Sequence, residues 1–176
     1  NDFSKALEIY AGALKAAERE GDPALLADIY YRMGRVHLRQ QQWELSIQVF
    51  GQALTLLETS GPDASKAIVH SNIGIAYQEL GLADSARSHY LQALEIRRQT
   101  EDRPGEVRSL IDIGSTHLTQ GRYTKALEYY VNAQSLAETL KPEDPATVGA
   151  VLTHMGSRYG ELGAYQVALD YQGKAL

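Results

Sequence analysis

Glycine recurs at a fixed interval along this chain of 176 residues. Gly34, Gly74, Gly114 and Gly156 follow one another at spacings of 40, 40 and 42 residues. The neighbouring residues repeat as well: histidine or tyrosine stands three positions after each glycine, serine or alanine twelve after it and alanine nineteen after it. Self-similarity at one period of this length indicates a chain built by stacking copies of one small structural unit.

Each unit contains two segments with the apolar spacing of an α-helix. Ala86, Tyr90 and Ala93 lie at i, i+4 and i+7, so they form one stripe along a helix, and that stripe must be buried. First helices are predicted at residues 24–39, 64–79, 105–119 and 146–161. Second helices are predicted at residues 43–59, 83–99, 123–139 and from 165 onward.

Short turns that contain proline or an acidic residue separate the helices, which predicts antiparallel neighbours. A glycine inside a helix costs roughly 0.5–1 kcal/mol relative to alanine, so glycines at one register indicate close approach of the partner helix. We expect small residues such as Ala86 and Ala126 to face them. Because one helix pair cannot cover its own apolar faces, we expect the pairs to stack into a curved solenoid.

The first full unit carries the pattern Tyr30, Met33, Gly34, His37, Ser46, Phe50 and Ala53. This pattern resembles the tetratricopeptide repeat. The period of 40 exceeds the usual length of about 34 and is similar to that of kinesin light chains, Leu-Gly-Asn-rich polarity adaptors and many bacterial signalling proteins. The resemblance implies an all-α fold, a right-handed α-solenoid of antiparallel helix pairs with about four and a half repeats.

We expect residues 1–176 to form a single array that begins in mid-repeat and is cut from a longer protein. Its parts are a lone second helix at 1–20, full repeats at 24–60, 63–100 and 104–140, and a truncated repeat at 145–176.

Composition excludes several functional classes. The chain has no cysteine, and its scattered lysines and arginines with a net charge of -5 lack the clustered basic charge of a nucleic-acid binder. No apolar run is long enough for a membrane span, so we expect a cytoplasmic protein with neither nucleic acid nor membrane as partner. His37, His70 and His117 occupy packing positions of the repeat, and no catalytic or phosphate-binding motif is present. We therefore predict no enzymatic activity, no cofactor and no metal.

The resemblance also implies which side chains of the first helices turn toward a concave groove. These predicted groove residues are Asp28, Tyr31, Arg32, Arg35, Arg39, Ile68, Asn72, Ile75, Glu79, Arg108, Ile111, Asp112, Ser115 and His154. Arg32, Arg35 and Arg39 share one helix face and can hold carboxylates, although a solvated charged face would look the same. Asn72 can both donate to and accept from a peptide backbone, or it is an ordinary surface asparagine.

The leading hypothesis is a protein-interaction module that binds an extended or helical partner segment in this groove, with the segment's acidic end at the first unit. One alternative is the sensor or regulatory arm of a larger signalling protein, such as a kinase, a protease or a transcription factor. Another alternative is a structural scaffold that self-associates through exposed repeat ends.

Overall fold

The computed structural model describes residues 2–60 and 62–140, together with the isolated positions 153 and 160. Within these ranges the chain forms seven α-helices and no strand. The helices are α1 (Asp2–Glu20), α2 (Pro23–Arg39), α3 (Trp43–Ser60), α4 (Asp63–Glu79), α5 (Ala83–Gln99), α6 (Arg103–Thr119) and α7 (Tyr123–Thr139).

The bounds of these helices agree with the sequence prediction to within two residues. Asp22 caps α2 by accepting hydrogen bonds from the backbone N–H groups of Ala24 and Leu25, at 2.9 and 3.2 Å. Between the helices of a pair the chain turns through a residue with positive φ, which favours glycine, as at Gly81 with φ 75°. The helices predicted at 146–161 and from 165 onward lie outside the described residues.

The helix-interior glycines lie directly against aromatic rings. A Cβ added at Gly74 would fall 2.5 Å from Cε1 of Tyr90, a distance at which one of the two groups must move. The other pairs of this kind are Gly34 with Phe50 and Gly114 with Tyr130. The predicted close approach is therefore confirmed, and the group nearest to each of these glycines is an aromatic ring. Ala86 and Ala126, which were expected to face the glycines, are fully buried.

Contacts divide the chain into two compact units, Asn1–Ile96 and Arg97–Leu176. In the first unit α1 packs on α2, α2 on α3 and α3 on α4. Its buried cluster consists of Ala27, Phe50, Ala53, Leu57, Val69 and Ile73. In the second unit α6 packs on α7, and the buried side chains there include Val107, Ile113, Ala126, Tyr130 and Ala133.

Neither of the ranges 2–60 and 62–140 contains a helix that is long and apolar enough to cross a membrane. The prediction that all 176 residues form one array stays a prediction.

Candidate partner-binding surface

An open pocket of about 310 Å³ lies between α2 and α4 in the first unit. Three of the predicted groove residues, Asp28, Tyr31 and Ile68, line it together. Its other lining residues are Ala24, Ala27, Leu57, Pro62, Ser65 and Val69. The lining is mainly apolar, with the Asp28 carboxylate and the Tyr31 ring on the α2 side.

One face of α4 carries four predicted groove residues at i, i+4, i+7 and i+11, namely Ile68, Asn72, Ile75 and Glu79. Ile68 and Ile75 are 44% and 38% exposed, which is unusual for isoleucine in a helix whose opposite face is buried. Between them Asn72 donates its side-chain N–H to the carbonyl oxygen of Ile68 at 2.9 Å, so one of its donors is used within the helix. Glu79 is exposed at the end of the same face.

A second pocket, of about 240 Å³, lies between α1 and α2. It brings together the three predicted arginines, Arg32, Arg35 and Arg39. The remaining lining residues are Phe3, Ala6, Tyr10 and Val36. We call this site the arginine pocket.

Two contacts along α2 connect the arginine pocket with the apolar pocket. Arg32 donates to the Asp28 carboxylate at 2.7 Å, and this pairing raises the pKa of Arg32 above its ordinary value. The guanidinium of Arg35 lies 5.7 Å from the centroid of the Tyr31 ring, within cation–π range. Arg32 is thus partly neutralised, whereas no ion pair of Arg35 or Arg39 is found in the part of the chain that the structure describes.

The predicted groove residues of α6 belong to the second unit and differ in exposure. Arg108 is exposed and Asp112 is half-buried. Ile111 and Ser115 are buried, at 6% and 7% exposure, and the Ser115 hydroxyl lies 3.3 Å from that of Tyr130. Neither residue is available as a surface contact in this structure, so both leave the proposed binding surface. His154 lies outside the described residues.

The described histidines are packed side chains, as the sequence indicated for His37, His70 and His117. His70 and His89 face each other with their Nδ1 atoms 3.0 Å apart, and the ring of Tyr77 stacks on His89. Within residues 2–60 and 62–140 there is no group of three or more histidine, aspartate or glutamate side chains that could hold a metal ion.

Sequence reasoning missed the residues that form the walls behind the predicted contacts. Phe3 and Tyr10 were not among the predicted groove residues, yet they line the arginine pocket. Leu57 and Val69 are buried core residues that also form part of the apolar pocket. A position in the repeat pattern indicates which side chains pack, but not which of them border a cavity.

Comparison with known families identifies the repeats. A model described as tetratricopeptide repeat matches residues 65–139. Residues 65–139 carry tetratricopeptide repeats. The matched residues include α5, α6 and α7 and contain the glycine–ring pairs Gly74–Tyr90 and Gly114–Tyr130. The resemblance to the tetratricopeptide repeat is therefore confirmed for this part of the chain.

Two curated proteins are similar to these tetratricopeptide repeats in sequence. The 43 kDa receptor-associated protein of the synapse from Tetronarce californica is 24% identical over 162 residues, covering 90% of this chain and 36% of that protein. Response regulator aspartate phosphatase A from Bacillus subtilis (strain 168) is 26% identical over 90 residues, covering 51% of this chain and 24% of that protein. The chain thus spans about a third and about a quarter of the two relatives.

Among solved structures, BtubC (BKLC) from P. vanneervenii has a TM-score of 0.83 and 22% identity. The match covers 99% of this chain and 72% of that one. At this identity the likeness concerns the fold alone, and it confirms the predicted fold class, an all-α solenoid of tetratricopeptide helix pairs.

Proposed function

We propose that these tetratricopeptide repeats bind a segment of a partner protein along the exposed faces of α2 and α4. The observation that carries the proposal is the apolar pocket of about 310 Å³, which gathers Asp28, Tyr31 and Ile68 at one place. A pocket of this size takes a large apolar side chain. Burial of such a side chain in a central pocket is the usual source of binding energy at protein interfaces.

The face of α4 extends the contact beyond the pocket. Ile68 and Ile75 offer apolar area two helical turns apart, and Asn72 between them can exchange hydrogen bonds with the partner's backbone. Exposed isoleucine surface next to a concave pocket lowers the free energy when a partner covers it, at about 25 cal/mol for each Å² of apolar surface removed from water. Glu79 lies at the C-terminal end of this face and adds a polar contact.

The arginine pocket determines the charge of the preferred partner. Arg35 and Arg39 have no described ion pair, so a carboxylate of the partner would gain charge-assisted hydrogen bonds there without displacing an internal partner. The acidic end of the segment therefore meets α2 beside α1, and its apolar side chain enters the pocket between α2 and α4. In the second unit Arg108 and Asp112 stay proposed contacts, as does His154.

The comparisons support a role in protein interaction without naming a partner. One relative is called receptor-associated, and the tetratricopeptide repeats matched at residues 65–139 suit this role. The other relative is called a phosphatase, but the chain spans only about a quarter of it. We assign a binding function rather than that chemistry to these repeats, either as a separate adaptor or as the regulatory arm of a larger signalling protein.

Selection from a random-peptide display library tests the proposal directly. The enriched peptides are expected to contain a large apolar residue with aspartate or glutamate nearby. Their binding should fall by roughly tenfold or more in the variant Ile68→Glu, because a carboxylate at the pocket edge opposes an apolar side chain.

The matched control is Leu91→Glu, a residue of α5 with 42% exposure that does not line either pocket. Circular dichroism establishes that both variants keep the helix content of the parent protein. If the selected peptides bind Ile68→Glu and Leu91→Glu equally well, the assignment of the binding surface to α2 and α4 is wrong.

A further inference from the structure

Two histidine side chains meet head to head between α4 and α5. The Nδ1 atoms of His70 and His89 lie 3.0 Å apart, and the centroids of the two rings lie 5.3 Å apart. Two imidazoles give this combination of distances when each Nδ1 points along the line between the ring centres. His70 is buried, whereas His89 is half-buried. The two nitrogen lone-pair directions therefore lie on one common line that solvent can approach from the His89 side.

Packing of the repeat does not require this histidine pair. The other two full repeats occupy the same two positions without histidine, by Tyr30 with Val49 and by Leu110 with Tyr129. Val49 and Leu110 are buried there, so apolar side chains satisfy the packing. Among residues 2–60 and 62–140 the head-to-head pair is thus an addition of the second full repeat to the common pattern.

Both rings of the pair are neutral at neutral pH, which is the form that binds metal ions. Burial, assisted by the neighbouring His89 ring, lowers the pKa of His70 to about 4, and burial also lowers the pKa of His89. Without an ion, one Nδ1 donates its hydrogen to the other. If the donating ring carries its proton on Nε2 instead, both Nδ1 lone pairs face the space between the rings, and no net proton is released.

The number of ligands and the burial select the kind of ion. In the described ranges the pair belongs to no group of three or more histidine, aspartate or glutamate side chains that could hold a metal ion, whereas a structural zinc site takes four protein ligands. The cost of removing an ion from water rises with the square of its charge, so a half-buried pair of neutral ligands favours a monovalent ion. Copper(I) accepts imidazole nitrogens and, as a closed-shell ion, is stable with two ligands in a line.

We propose that His70 and His89 form a two-coordinate copper(I) site that bridges α4 and α5. An ion on the line between the two nitrogens, at a metal–nitrogen distance of about 2.0 Å, requires them to be roughly 4 Å apart. The rings therefore separate by about 1 Å on binding, through small torsional changes of the half-buried His89 side chain. The site does not depend on the binding surface of α2 and α4, so it goes beyond the proposed function.

Transfer of copper(I) from its coloured complex with bicinchoninate to the intact protein tests the site. The titration is carried out with ascorbate and without oxygen, so that copper stays in the monovalent state. The chain has no cysteine, so no thiolate of the protein competes with the histidines for the ion. The parent protein is expected to withdraw one copper(I) ion per chain, and X-ray absorption at the copper edge should show two nitrogen neighbours in a line.

The chain itself suggests the test variants. His70→Leu introduces the residue of the third full repeat, Leu110, and His89→Val introduces the residue of the first full repeat, Val49. Each variant should bind copper(I) at least roughly tenfold more weakly than the parent protein, because one imidazole remains. The matched control is His37→Tyr, which inserts the tyrosine of the second full repeat at this position and should keep the parent affinity.

Circular dichroism establishes that each variant keeps the helix content of the parent protein. Since the two test variants change different helices, a folding defect in one leaves the other as a test. The site is overturned if the parent protein withdraws no copper(I), if both test variants keep its affinity, or if His37→Tyr loses as much affinity as they do. Zinc binding as tight as copper(I) binding in a parallel calorimetric titration would overturn the assignment to a monovalent ion.

Discussion

At the scale of single residues, the pair His70–His89 makes the stability of the first unit depend on pH. Burial, assisted by the neighbouring His89 ring, lowers the pKa of His70 to about 4, and burial also lowers the pKa of His89. The two Nδ1 atoms, 3.0 Å apart, can share one hydrogen bond only if at least one of them carries no proton. The folded protein therefore favours the neutral pair.

We predict that the free energy of unfolding decreases as the pH falls from 6.5 toward about 4. The unfolded chain takes up a proton at the ordinary pKa of histidine, while the folded chain resists protonation. The stability contributed by the neutral histidine pair is therefore complete above pH 6.5 and is lost as the pH falls toward about 4. One proton contributes at most roughly 1.4 kcal/mol per pH unit.

Urea unfolding across this range, compared between the parent protein and His70→Leu, measures the effect. Leucine is the chain's own solution at the equivalent position, where Leu110 is buried. The variant should lose less stability on acidification. Identical pH profiles would show that the histidine pair is not the titrating group.

Single residues also mark the limit of what the sequence predicted. Asn72 was expected on an exposed face, where it lies, but its hydrogen bond to the Ile68 carbonyl could not be foreseen because rotamer choice depends on the local surroundings. Ile111 was expected on the groove because it occupies the repeat position of Tyr31, and instead it is buried. Equivalent positions in a repeat share a backbone direction, whereas their exposure depends on what lies nearby.

At the scale of helices, the glycine–ring contact determines how closely the two helices of a pair approach. The helix bounds could be predicted because proline, capping aspartate and apolar spacing act locally. The group that packs on Gly74 could not be predicted, since Ala86 and Tyr90 both lie on the inner stripe of α5. Only the packed structure shows that the Tyr90 ring is the nearest group. The contact gives a matched experiment on helix-interior glycines.

We predict that Gly74→Ala destabilises the protein, although alanine favours helix formation. The added methyl group would lie 2.5 Å from the buried Tyr90 ring, so overpacking at about 1–3 kcal/mol should exceed a propensity gain of about 1 kcal/mol. In Gly51→Ala, also inside a helix, nothing lies within 4 Å of the new Cβ, and stability should rise by about 0.5–1 kcal/mol.

Thermal unfolding of both variants tests the contrast. The prediction requires a lower midpoint for Gly74→Ala and a higher one for Gly51→Ala than for the parent protein. Shifts of the same sign would mean that the ring moves aside without penalty and does not control helix approach.

At the scale of the whole molecule, the arginine pocket is a positively charged site in a chain whose net charge is -5. Long-range repulsion of an acidic ligand is weak, because charges separated by more than about 8–10 Å are screened at physiological salt. Attraction at the arginine pocket acts over hydrogen-bond distances and is screened less. We therefore expect the local placement of charge to outweigh the net charge in the binding of an acidic ligand.

Acidic peptides obtained by display selection should bind more weakly as salt is raised, and their charge-reversed versions should bind more weakly than the originals at low salt. Anisotropy titrations over a salt series measure both effects. Equal binding of a peptide and its charge-reversed version would contradict the assignment of its acidic end to Arg35 and Arg39.

The repeated glycine–ring contact also bears on how such a gene can change in length. Gly34, Gly74 and Gly114 meet their rings at one register, with 40 residues between successive copies. Unequal crossing-over between equivalent codons would delete or duplicate one period and rejoin a first helix to a second helix that still fits it. Mutation of exposed residues such as Ile68 and Ile75 leaves these contacts untouched, so copy number and the proposed binding preference can evolve separately.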